Sequence, residues 1–174
     1  MFAHNPDNKS MYLASPVICK IDEKIMMLGV YSPVIGDNES GKEKKPRSIA
    51  VFSLEGECLE SGVFKLQSIA NQKYENGFDF WHMDCFEWQN IKYCIVTPES
   101  GNEIRIGKSS NGVNYIFCDK PLLHAYGFQK VPYMYKPSGV IINGRFHLFY
   151  PSRKKEIVHI FCTSIDFNDI SDII

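Results

Sequence analysis

One hairpin pattern occurs three times along this chain, and that repetition limits the fold more than any other feature of the sequence. Ser15-Pro16-Val17-Ile18-Cys19-Lys20-Ile21-Asp22-Glu23-Lys24-Ile25-Met26-Met27-Leu28 aligns without a gap on Lys136-Pro137-Ser138-Gly139-Val140-Ile141-Ile142-Asn143-Gly144-Arg145-Phe146-His147-Leu148-Phe149. Both read as two strands of alternating character around a turn. A third copy, Trp81 to Val96, aligns on its turn but carries one extra residue near its start, which reads as a bulge. The turns are placed at Asp22-Glu23, Asn90-Ile91 and Asn143-Gly144, so that the unit repeats after 68 and then 53 residues, measured from Asp22 to Asn90 to Asn143.

Each hairpin is followed by another strand signal ending in a hydroxyl-rich turn: Ile49 to Ser53, Ile104 to Ser109, and Val158 to Ser164. Two of these lead to a further short strand, near Gly62 to Leu66 and Tyr115 to Cys118. Nothing sustains a helical period over three turns. The expected fold is therefore all-β, with propeller-type repeats of antiparallel three- or four-stranded blades, about three in this chain. The whole chain, residues 1–174, reads as a single propeller-like domain with blades at approximately 11–66, 78–119 and 131–168. The longer first repeat is accounted for by Ser32 to Arg47, read as a solvated surface loop. Three blades leave exposed strand edges, so a homo-oligomer or further blades outside this chain are expected to cover them.

The 19 basic and 20 acidic side chains give a net charge of −1 and are spread along the chain, which argues against nucleic acid as a partner. No apolar run approaches the roughly 18 residues of a membrane-spanning helix, so no membrane partner is expected. The start, Met1-Phe2-Ala3-His4-Asn5-Pro6-Asp7, lacks the charge and apolar pattern of a secretory leader, so a cytoplasmic location is expected. The six cysteines sit mostly in apolar strands, as in Tyr93-Cys94-Ile95-Val96 and Ile160-Phe161-Cys162, and no two have the spacing of a zinc or redox motif. They read as reduced, buried thiols. Neither a metal nor a cofactor is expected.

Two segments carry a family likeness. Tyr135 to Tyr150 has a Pro-containing strand start, a turn and an Arg-aromatic strand, and Ile106-Gly107-Lys108-Ser109-Ser110-Asn111-Gly112-Val113-Asn114-Tyr115 has a strand ending in a Ser/Asn/Gly turn. In these features the sequence resembles the five-bladed β-propeller glycosidases of glycoside hydrolase families 43 and 32. The resemblance implies a central funnel reached by the start of each innermost strand, with acidic residues there acting on a glycosidic bond. Such hydrolysis needs two carboxyl groups, one protonated and one ionised.

The chain departs from that pattern where the family commonly has Asp before Pro: Ser15 precedes Pro16, and Lys136 precedes Pro137. Trp81-His82-Met83-Asp84 resembles the family's Trp-Ala-Pro-Asp, which implies Asp84 as the catalytic acid, beside His82, and Trp81 as a platform for stacking a sugar. Asp84 as a structural staple of the bulged strand is the competing reading. Strand alternation puts Asp79 and Asp84 on opposite faces, and Glu87 on the side of Asp79, so no acid pair arises from this strand alone. Lys136, flanked by Tyr133 and Tyr135, replaces an acid by a cation suited to a carboxylate or phosphate on a sugar. Trp81, His82, Tyr135 and Lys136 are thus the expected ligand-binding residues. His124 and Tyr126 fall in a connection that would line the funnel mouth, where a lone His is more often a bystander.

Two functions follow: hydrolysis of a glycan, or non-catalytic binding of a sugar or protein by a module without the acids. Loss of acids before Pro16 and Pro137 favours binding, and the family resemblance favours hydrolysis.

Overall fold

A computed structural model of the chain describes residues 11–33, 47–56, 58–69, 80–125, 133–154 and 157–171. Asp79, Tyr126 and most of the Ser32 to Arg47 loop lie outside the described residues.

The strands form three antiparallel sheets, as expected of propeller blades. The first contains β1 (Met11–Ile21), β2 (Lys24–Pro33), β3 (Ser48–Glu55) and β4 (Val63–Ile69) in that order. The second contains β5 (Phe80–Trp88), β6 (Ile91–Pro98), β7 (Glu103–Ser109) and β8 (Ile116–Phe117), with β9 (Leu123–His124) also paired to β7. The third contains β10 (Ser138–Ile142), β11 (Arg145–Lys154) and β12 (Ile157–Asp166), followed by the short helix α1 (Phe167–Ser171). Asp166 caps this helix by accepting from the Asn168 amide at 3.0 Å.

All three hairpins close with two consecutive left-handed residues: Asp22-Glu23 (φ 48° and 64°), Gln89-Asn90 (49° and 64°) and Asn143-Gly144 (52° and 74°). This is the type I′ geometry whose twist matches that of the flanking strands. The second turn lies one residue earlier than the sequence placed it, because Trp88 pairs with Ile91. Asn90 is the more conspicuous turn residue, but it occupies the second turn position. With the turn corrected, the three hairpins align from Ser15, His82 and Lys136 without a gap. The expected bulge is present one step upstream, between Phe80 and His82, and β1 has its own between Ala14 and Val17.

Alternation along β5 divides the interior into two seams. Met83 and Cys85 pack toward the first blade, in a core with Ile21, Leu28, Val30, Ile49 and Val51. Phe86 and Trp88 pack toward the third, with Tyr93, Ile95, Phe146, Leu148 and Phe167. Gly139 leaves room for the Phe146 ring of its own blade, since a Cβ there would stand 2.6 Å from it, and that Cβ would also stand 3.2 Å from Ile95 of the second blade.

All six cysteines are free thiols, but their burial differs from the sequence expectation. Cys94 is buried, whereas Cys162 and Cys58 are exposed. Cys162 lies opposite Phe149 on a face of the third blade that also exposes Val158 and Ile160. That face is apolar in sequence, yet no neighbouring strand covers it among the described residues.

Candidate functional site

Seven residues before the first turn residue of each hairpin stand Ser15, His82 and Lys136. Ser15 and Lys136 share a left-handed backbone, with φ of 49° and 41°, immediately before Pro16 and Pro137. The proline ring disfavours the right-handed helical region for the residue before it. The left-handed conformation costs roughly 1–2 kcal/mol for a residue with a Cβ, so the surrounding contacts must hold both residues in place. His82 reaches the equivalent position by a different route, just after the bulge at Trp81.

These strand starts meet. The Ser15 Oγ and His82 Nδ1 are 2.5 Å apart, a hydrogen bond between the first and second blades. The His82 ring meets that of Tyr135 edge-on at a centroid separation of 4.2 Å, which joins the second blade to the third. The Lys136 Nζ lies 5.4 Å from the Tyr135 ring centroid, and Tyr133 is tilted against Tyr135 at 6.0 Å. Thus Trp81, His82, Tyr135 and Lys136 form one cluster.

His82 is only 5% exposed, and its Nε2 has no hydrogen-bond partner among the described residues. Burial first, then the charges of Lys136 and Arg47, push its pKa down to about 4, so the ring is neutral at neutral pH.

Asp84 faces the seam between blades. One carboxylate oxygen accepts from Ser138 Oγ at 2.9 Å and from the Gly139 amide at 3.0 Å. The other accepts from the Cys85 amide at 2.9 Å. Its lone pairs therefore tie β5 to β10, which is the stapling arrangement weighed against an acid role from sequence.

Arg47 was read as the end of a surface loop, but its side chain is largely buried. The guanidinium carbon lies 4.3 Å from the Trp81 ring centroid, Nη1 donates to the Phe80 carbonyl at 3.3 Å, and the group pairs with Glu99 at 3.2 Å. One face of the expected sugar platform thus carries a cation. Pro46-Arg47 directly before the apolar run at Ile49 was the available signal, since a residue so close to a core strand has little freedom to leave it.

His124 does not join the cluster. It pairs opposite Glu103 in β9, on the third strand of its blade. A separate cavity of about 310 Å³ lies near the turn ends of β1 and β5, lined by Cys19, Cys85, Glu87, Lys92 and Tyr115 among others. Burial pushes the Cys19 thiol up to about 12, which makes it a poor nucleophile. Lys92 crosses this end of the seam to Asp22 at 3.2 Å.

No protein-family model matches the sequence, and no curated protein sequence does. Solved structures do match in fold. Zg3597, a family 117 glycoside hydrolase produced by the marine bacterium Zobellia galactanivorans, superposes with a TM-score of 0.70 at 13% identity, over 95% of this chain and 55% of that one. The family 32 β-fructofuranosidase BmSUC1 of Bombyx mori gives 0.65 at 13% identity, over 93% of this chain and 35% of that one. A thermostable family 43 glycoside hydrolase gives 0.61 at 14% identity, over 97% of this chain and 52% of that one. The chain shares the fold of propeller glycoside hydrolases and spans about half of their length or less.

Proposed function

We propose that this chain recognises carbohydrate at the cluster where its inner strands begin, with Trp81, His82, Asp84, Tyr135 and Lys136 as the contact residues. The observation that carries this reading is the convergence of His82, Tyr135 and Lys136 from two blades onto one place, beside Trp81. Sugars present both C–H patches and hydroxyl groups. Aromatic rings suit the first, and a buried imidazole edge, a carboxylate and an ammonium suit the second.

Binding without hydrolysis is the better supported activity. The three equivalent strand-start positions hold Ser15, His82 and Lys136, none of them acidic, and both Asp84 oxygens are engaged by donors. Glu99 is paired with Arg47. Hydrolysis is the second reading, supported by the likeness in fold to glycoside hydrolases and by the place of Asp84 on β5. It requires a second carboxyl group across the bond from Asp84.

Screening the purified chain against a glycan array, with parallel assay of reducing-end release, tests both. Retention of a glycan class without release supports binding. Release that disappears in Asp84→Asn supports hydrolysis, and no retention of any glycan overturns the proposal.

A further inference from the structure

The charged groups around the cluster are not all paired with one another. Two cations, Arg47 and Lys136, lie close enough to act on His82. Of the nearby carboxylates, Glu99 is matched to Arg47 at 3.2 Å, and Asp84 is held by the Ser138 hydroxyl and two backbone amides. Lys136 is exposed, has only the Tyr135 ring beneath it, and has no ion-pair partner among the described residues. Two buried polar atoms, His82 Nε2 and Thr97 Oγ1 opposite it, also lack a partner among the described residues.

A ligand covering this face would strip water from the Lys136 ammonium. A neutral sugar offers only hydroxyl lone pairs in return. A carboxylate offers a charge-assisted hydrogen bond, roughly twice as strong as a neutral one. Building on the carbohydrate reading above, we propose that the cluster selects acidic sugars, with Lys136 pairing to the carboxylate of a uronic acid residue while the sugar ring lies against Tyr135. Lys136 is the specificity residue. Arg47, already tied to Glu99 and Phe80, adds positive potential and holds Trp81.

The test is calorimetric titration of the full chain with galacturonate, glucuronate, guluronate and mannuronate trimers, each beside its carboxyl-reduced counterpart of the same linkage. At least one uronate trimer is expected to bind roughly tenfold or more tightly than its reduced form at low ionic strength. That preference should shrink at about 1 M salt, where the screening length falls to about 3 Å. Lys136→Met keeps the aliphatic stem and should abolish the preference, and Lys136→Arg should restore most of it. A circular dichroism spectrum and melting curve for each variant verify the fold. Reduced trimers binding as well as uronates would overturn the acidic preference and leave the carbohydrate reading standing. A preference unchanged in Lys136→Met would overturn the role of that lysine. Failure of every trimer, acidic and reduced, would overturn the acidic-sugar assignment, and the array screen then decides separately whether the carbohydrate reading survives.

Discussion

The hydroxyl of Ser15 and Nδ1 of His82 are 2.5 Å apart, although 67 residues separate them in sequence. They hold equivalent positions in successive hairpins, so the bond is a repeat-to-repeat contact formed only when the two blades are side by side. It also fixes the ring of a histidine that the surrounding structure keeps neutral.

That neutrality makes stability depend on pH. The pKa of His82 is about 4 in the native state and about 6.5 when unfolded. Between these values the unfolded chain takes up the proton and the native chain does not, so stability falls as pH drops from about 6.5 and levels off below about 4. The full effect is on the order of 3 kcal/mol. Denaturant unfolding at a series of pH values should show this slope in the parent and a flatter profile in His82→Gln. Identical profiles would contradict a buried neutral imidazole.

Asp84→Asn should destabilise the chain by about 1.5–3 kcal/mol, because the substitution removes charge-assisted bonds to Ser138, Gly139 and Cys85. Urea denaturation measures it. If Asp84 contributed only to ligand contacts, the midpoint would not move.

The second turn uses Gln89-Asn90 in a geometry that Asn-Gly fits best. Replacing the pair by Asn-Gly, as at residues 143 and 144, should raise stability by roughly 0.5–1 kcal/mol, offset in part by the entropy of glycine. Thermal unfolding reads this directly. Unaltered or lowered stability would contradict a conformational cost at Gln89-Asn90.

Thiol reactivity should follow burial. In the native protein Cys58 and Cys162 are exposed and should react first with an aromatic disulfide reagent, while buried Cys94 should react only on unfolding. All six should titrate under denaturing conditions without reductant. Peptide mapping that finds Cys94 labelled as fast as Cys58 would contradict the packing of the first seam.

Much of this architecture can be read from the sequence because type I′ turns and strand alternation are local. Asp22-Glu23 and Asn143-Gly144 fix the first and third hairpins by residue type and spacing. Gln89-Asn90 is misread by one position because Ile91 and Trp88, both apolar, give alternation no preference between the two registers. That Trp81, His82, Tyr135 and Lys136 lie near one another was legible because equivalent strand starts converge in any propeller. The contacts of Arg47 were not, and the staple weighed for Asp84 was legible only without its partners. Arg47 reaches Trp81 across 34 residues, and the bonds of Asp84 to Ser138 and Gly139 depend on how the second and third blades meet. The short helix α1 was missed because five residues are too few to show a period. Its place follows from burying Phe167 against Tyr93 and Phe146.

The most direct test of carbohydrate recognition at the inner-strand cluster is calorimetric titration of a glycan retained on the array into the parent chain, Trp81→Ala and Asp84→Asn, at a temperature where all three are folded. Losing a stacking face or a charge-assisted hydrogen bond should weaken binding by roughly tenfold or more in each variant. Affinity unchanged in both variants would place the glycan elsewhere and contradict the account.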